Sequence, residues 1–311
     1  MSAGLVSADS LGIDFEPPDY HTGTIDGQDG WAGSGGIPIN PLIDEAIVTN
    51  GASAPNSFGT QSWRFSNAYA DGAFGTWPFS PSLADEAGET AAQGGIYSSG
   101  PRQSHFEVEW DFASFTQAPQ AGLQMSTAPD RGDGARMSFI RLEDLPGGMS
   151  VDFAEYIDNA PFGQFLLDPR GCGLEDEFRE TVLATGLSRA EAHTVKLTID
   201  FVDGTRNDIV KAYVNGQLKH TGTSWEDYFR YCEGNEPRTV DSMIFQARLG
   251  GGIAPALSGQ GFLIDNLDYS SSQAPADAGD CKDGGWEDRT RADGSAFRNQ
   301  GDCIMYVNTG R

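Results

Sequence analysis

The chain has 311 residues, with 45 acidic and 20 basic side chains and a formal net charge of −25. So acidic a surface repels phosphate backbones and anionic lipid, which excludes nucleic-acid recognition through a basic face, while it favours solubility and attracts hard cations such as calcium. No stretch reaches the roughly 18 apolar residues of a membrane span, and 40 glycines with 16 prolines, spread without a collagen-like period, suit many strands joined by many turns.

The opening MSAG reads as a trimmed start with an added methionine, so an export signal is expected on the precursor. Residues 1–11 are small and polar and are expected to be flexible. Residues 12–31 read as a short edge strand, a proline-blocked turn and a glycine-rich loop closing on Trp31. INPLIDEAIVTN and SWRFSNAY follow as strand candidates, and residues 71–89 as a loop. The clearest alternation is HFEVEWDFASF, which puts Phe106, Val108, Trp110 and Phe112 on one side and Glu107, Glu109 and Asp111 on the other. GLQMSTAPD, ARMSFIRLED and MSVDFAEYID are further strands, whereas LEDEFRETVLATGLSRAEA predicts a helix or helical turn. HTVKLTIDFVDG and DIVKAYVNGQLKHTG form a ladder, with Asn215-Gly216 as a two-residue hairpin turn. DSMIFQARL and GQGFLIDNLDYS close the set. Residues 271–280 read as a linker by composition and residues 281–311 as a tail too small to hold a core alone.

The four cysteines allow three pairings. No CxxC pair occurs, which argues against zinc. Cys281 and Cys303 bracket a small polar segment suited to a disulfide. Cys172 and Cys232 sit in Gly/Asp/Glu-rich loops, either as a second disulfide or as separate thiols.

FEPPDYHTGTIDGQDGW, APDRGDGARMSFIRLED, HTVKLTIDFVDGTRNDIVKAYVNGQLKHTGTSWEDYFRY and GFLIDNLDY together resemble bacterial exported concanavalin A-like or laminin-G-like domains over residues 12–270. The tail is similar to a cysteine-bracketed motif of exported actinobacterial proteins, carried by Cys281, Gly284, Gly285, Trp286, Phe297, Asn299, Gln300, Gly301 and Cys303. The resemblance implies an all-β antiparallel jelly-roll sandwich and a secreted protein. It does not choose among glycan binding, adhesion and polysaccharide degradation.

It also implies a structural calcium where the first and last strands meet, which points to Glu16, Asp265 and Asn266. Asp130, Asp133 and Asp144, or Asp203, Asn207 and Asp208, are alternative acidic turns; all three sets also suit plain turn formation. GTSWEDYFRY sets Trp225, Tyr228, Phe229 and Tyr231 beside Glu226, Asp227 and Arg230. That is the composition of a sugar site, in which an aromatic face meets ring C–H groups and charged side chains take hydroxyls. The structural alternative is a plug filling the end of the sandwich. If the loop binds sugar, Trp225→Ala abolishes binding and barely changes the melting temperature.

Glu107, Glu109 and Asp111 follow the order E-x-E-x-D, which departs from the E-x-D-x-E row of glycosidases on this fold. They are nonetheless candidate catalytic carboxylates, with Arg102 placed to pair with Glu107. A solvated outer face explains the row without chemistry. A β-eliminating lyase needs a His or Tyr base and a group that neutralises a uronate, for which His105, Tyr213, Arg136, Arg141, Gln246 and Arg248 are the right residue types. No GxSxG elbow or phosphate loop occurs. The expectation is a secreted glycan-binding domain whose partner is an extracellular poly- or oligosaccharide. A glycoside hydrolase or polysaccharide lyase on the same scaffold is the second reading, and a structural or adhesive protein the third.

Overall fold

A computed structural model describes residues 9–69, 74–83, 103–130, 136–159, 177–202, 206–228, 240–247, 252–275, 277–287, 289–291 and 295–309. The chain is a sandwich of two antiparallel sheets. The larger contains β1 (Asp9–Ile13), β2 (Asp44–Thr49), β3 (Gln61–Ser66), β4 (His105–Ser114), β9 (His193–Asp200), β10 (Ile209–Val214), β11 (Gln217–Gly222) and β13 (Phe262–Ser272). The smaller contains β5 (Gln124–Asp130), β6 (Phe139–Leu145), β7 (Gly148–Ile157), β8 (Glu177–Leu187) and β12 (Ser242–Ala247). Strand order is β11-β10-β9-β4-β13-β3-β2 in the first, with β1 also on β13, and β12-β5-β6-β7-β8 in the second.

Period-two patterning explains how the sheets meet. Phe106, Val108, Trp110 and Phe112 are all fully buried, as their alternation in β4 requires. Between the sheets, Trp63 of β3 meets Phe245 of β12 edge-on at 4.9 Å, and Phe15 and Trp31 pack against Trp63. Each such buried aromatic contributes roughly 1.5–3 kcal/mol from its apolar area. At the β10–β11 hairpin, Asn215 and Gly216 both take positive φ, 51° and 71°, as a tight two-residue turn of the primed type demands.

Three local expectations are corrected. The segment read as a helix is strand β8 over its described part, paired along β7 from Met149↔Leu187 to Ile157↔Glu177; a free sheet edge decides what helix-forming residue types leave open. Asp9 and Ser10, expected to be loose, pair with Ser271 and Ser270. The last strand runs to Ser272, two residues into the expected linker. The tail contains a helix, α1 (Gln300–Thr309), which the sequence pattern does not announce. Cys281 and Cys303 form a disulfide and share a small core with Phe297. Cys172 and Cys232 lie outside the described residues.

Among the described residues no helix is long and apolar enough to cross a membrane.

Candidate functional site

The smaller sheet buries Met125, Ile140, Leu142, Val151 and Phe153 against the larger one. The alternate positions point the other way. Register places Gln246 of β12 opposite Ser126 of β5, Ser126 opposite Arg141 of β6, and Arg141 opposite Asp152 of β7. These four side chains form one row across four strands, about 14 Å long at the usual inter-strand spacing of about 4.8 Å. A second row beside it carries Gln124, Glu143 and Ser150.

These side chains face away from the core, yet much of their polar surface is shielded. Gln246 Nε2, Ser126 Oγ, Arg141 Nε, Asp152 Oδ1, Gln124 Oε1 and Ser150 Oγ are all inaccessible to solvent and without a hydrogen-bond partner. An unpaired buried polar atom costs about 1–3 kcal/mol, so native proteins hold few. Six on one face of one sheet make this the polar face that the protein's own groups satisfy least.

The electrostatics centre on Asp152. Burial, then the charges of Glu143 and Glu180, push its carboxyl up to about 6 against the pull of Arg141. Arg141 is committed through Nη1 to Glu180 at 2.7 Å and lies over the Phe139 ring at 5.4 Å. One guanidinium thus stands among three carboxylates.

Aromatic side chains border one end of the rows. Phe178 contacts Tyr156, Trp225 and Tyr228 with ring centroids 4.6–5.1 Å apart, and is itself 48% exposed. The loop from Thr223 folds onto this end: Trp225 N donates to the Met137 carbonyl and Nε1 to the Ala154 carbonyl at 3.1 Å. Trp225 is only 2% exposed, enclosed by Phe139, Phe178 and Tyr228, with the Arg136 guanidinium 5.1 Å from its ring. Trp225 therefore presents no open face for a sugar, and the plug alternative describes it. Glu226 accepts from the backbone N–H groups of Asn207 and Asp208, which secures the loop, and Asp227 is buried beside it. Tyr228 stays partly exposed beside Phe178. Phe229, Arg230 and Tyr231 lie outside the described residues.

The lyase residue set does not converge. Arg141 and Gln246 share the row described above, and Arg136 reaches its aromatic end. His105 and Tyr213 belong to β4 and β10 in the other sheet, and His105 Nδ1 lies 2.6 Å from Asp200 Oδ1. Neither serves as a base for the row. Arg248 is outside the described residues.

Glu107, Glu109 and Asp111 do share the outer face of β4 in the larger sheet. Glu107 pairs with Lys196 at 2.6 Å, and Asp111 accepts from Thr194 Oγ1 at 2.5 Å and Asn266 Nδ2 at 2.9 Å. Burial, together with Asp111, Glu107 and Asp268, raises the Glu109 carboxyl against the opposing charge of Lys196. Arg102 is outside the described residues.

The expected calcium residues meet where β13 passes from β3 to β1. Its ladder with β3 ends at Ile264, its ladder with β1 begins at Leu267, and Asn266 takes a φ of 48° between them. Asp265 accepts from Ser62 Oγ at 2.8 Å and from the Asn266 N–H at 2.8 Å. Burial raises its carboxyl to about 8; the hydrogen bonds oppose this, and the charges of Glu16 and Asp14 add to it. Glu16 accepts from Thr60 and Gln61, bonds that outweigh burial and hold its carboxyl low. Among the described residues no group of three or more His, Cys, Asp or Glu side chains is arranged to hold a metal.

The alternative acidic turns are otherwise engaged. Asp144 is clamped by Arg189, 2.5 Å from Nη2 to Oδ1, so a guanidinium balances its charge. Asp208 accepts from the Val202 N–H and Ser224 Oγ. Asp130 is fully buried at the end of β5. Asp133 and Asp203 lie outside the described residues.

Residue type alone singles out Arg141 and Gln246 but passes over Asp152, Ser126, Ser150 and Gln124. The available signal is the alternation of polar and apolar residues in Gln124-Met125-Ser126 of β5 and Ser150-Val151-Asp152 of β7.

No family model matches the chain, and no curated protein matches it. Among solved structures it is similar to an alginate lyase from Pseudomonas aeruginosa, at 10% identity over 86% of this chain and 100% of that one, with a TM-score of 0.39. It is also similar to an endo-β-1,4-glucuronan lyase from Trichoderma reesei, at 13% identity over 78% and 93%, TM-score 0.36. The CBM2 module of the evolved Dit of Lactobacillus casei BL23 phage J-1 is similar at 11% identity over 85% and 97%, TM-score 0.38. Likeness at this level bears on neither activity nor ligand.

Proposed function

We propose that this protein is an exported carbohydrate-recognition domain that holds a glycan across the outward face of the β12-β5-β6-β7-β8 sheet. The observation carrying this reading is the set of six shielded, unpartnered polar atoms on Gln246, Ser126, Arg141, Asp152, Gln124 and Ser150. They comprise donors, an acceptor carboxylate and hydroxyls, the complement of a hydroxyl-rich ligand. The exposed ring of Phe178, beside Tyr228, supplies the apolar surface that ring C–H groups favour.

The test is a glycan array on the full chain, read for both retention and product release. Retention without product supports recognition. Product release moves the protein to the degradative reading, which one feature favours: Asp152 is held near 6, a range suited to proton transfer, with Glu143 and Glu180 on the same face. Silence across the array defeats both readings.

Calcium belongs to the proposal as a structural ion at the junction of β13 with β1. Support comes from the gathering of Asp265, Glu16 and Asp14 there, close enough that the charges of Glu16 and Asp14 help to raise the Asp265 carboxyl, which a cation would let ionise. Glu16, Asp265 and the Asn266 side-chain oxygen would supply the protein ligands, and because calcium also takes backbone carbonyls and water, a cluster of three acids is not required.

A further inference from the structure

The charge around the unpartnered atoms also discriminates between kinds of glycan. Resting on the carbohydrate-recognition reading, we propose that the site selects neutral glycans and rejects uronate-bearing ones, with Asp152 as the specificity-determining acceptor for a sugar hydroxyl.

Arg141 and Asp152 are direct cross-strand partners, so their side chains lie within about 4.5–5.5 Å at Cβ. One side chain is a guanidinium donor and the other a carboxylate acceptor, and both keep a small exposure on the outward face, 12% for the Arg141 side chain and 9% for Asp152. A hydroxyl donates and accepts at once, so it complements this pair, donating its proton to the Asp152 carboxylate and accepting from the Arg141 guanidinium. A ligand carboxylate accepts only. It would satisfy Arg141 and leave Asp152 facing an anion.

The surrounding charges act in the same direction. The groups facing Asp152 are Glu143 and Arg141 from β6 and Glu180 from β8. Arg141 is already paired with Glu180, and Arg136 is stacked on Trp225 at the aromatic end. A uronate placed on the row adds a negative charge beside three carboxylates, of which Asp152 is buried, Glu143 half-buried and Glu180 exposed, so the repulsion is strongest at Asp152. The formal charge of −25 on the whole chain further slows the approach of a polyanion.

The proposal is tested by equilibrium binding of the full chain to laminarin, β-mannan and arabinoxylan as neutral probes and to alginate and polygalacturonate as anionic ones. At least one neutral polymer should bind, with either anionic polymer at least tenfold weaker. Asp152→Asn should lose tenfold or more for the neutral polymer at an undiminished melting temperature, and Ser126→Ala, which leaves the charges untouched, should weaken it severalfold. Glu143→Gln combined with Glu180→Gln should narrow the neutral-over-anionic ratio at least fivefold. Tighter binding of alginate or polygalacturonate, or wild-type affinity in Asp152→Asn, would overturn the selectivity while leaving carbohydrate recognition intact. Absence of binding to all five polymers would overturn carbohydrate recognition itself.

Discussion

Arg141 and Asp152 face one another across β6 and β7, and Nε of the first and Oδ1 of the second are both shielded without a hydrogen-bond partner. The pair gives the site a direction as well as a location. The row it belongs to crosses the strands, so a bound chain is expected to lie across β12, β5, β6 and β7 and not along any one of them.

The pH dependence of binding follows from Asp152. A hydroxyl that donates to its carboxylate stabilises the ionised form, so affinity should rise as pH passes upward through about 6. Titration calorimetry between pH 5 and 8 checks this. A flat profile, or stronger binding at pH 5, would mean that the ligand does not use Asp152 as an acceptor.

Stability should respond in the opposite sense. The folded-state value of Asp152 lies above its ordinary 3.8, so its contribution to stability is fully present below about 4 and is lost as pH rises through about 6. Asp152→Asn removes the buried charge and should therefore be more stable than the wild type at pH 7.5. The gain, allowing for partial screening by solvent, is about 2 kcal/mol, as read from urea unfolding. Near pH 4 the two proteins should converge.

Trp225→Ala should act on folding. A ring enclosed by Phe139, Phe178 and Tyr228 leaves a cavity worth about 3–5 kcal/mol when removed, or roughly 5–8 °C in melting temperature for a chain of this size. Differential scanning calorimetry measures it. A melting temperature within a degree or two of wild type would restore the sugar-platform reading of this residue.

Calcium at the β13–β1 junction predicts a chelation effect that grows with pH. The ion favours ionised Asp265, which burial raises to about 8, so it should stabilise more at pH 8.5 than at pH 6. Excess EDTA should lower the melting temperature of the wild type by several degrees and leave Asp265→Asn unchanged. An identical response in both proteins would remove the ion from this position.

The Cys281–Cys303 disulfide closes a loop with a sequence separation of 22, worth about 3 kcal/mol in the chain-entropy account. Its small core with Phe297 is separate from that of the sandwich. Cys281→Ser with Cys303→Ser should expose the tail to limited proteolysis while the main unfolding transition stays within about 2 °C of wild type.

The alternation in HFEVEWDFASF and the Asn215-Gly216 turn were enough to assign strands, core side and hairpin, because period-two burial and positive-φ turns are local properties of a few adjacent residues. Segments whose state depends on a neighbour were not legible. β8 carries residue types that suit a helix and becomes a strand because β7 offers it an edge. Trp225 has the composition of a sugar platform and becomes a plug because the loop turns it onto Ala154 and Phe139.

The candidate site shows the same division. Gln246 and Ser126 are 120 positions apart in sequence yet directly opposed in the sheet, and a shift of one residue in register would turn either side chain to the other face. Sequence alone determined the core and polar sides of strands with clear alternation, such as β4. Only the tertiary pairing decided which polar residues stand in one row, because register is set by contacts between distant segments that no local pattern contains.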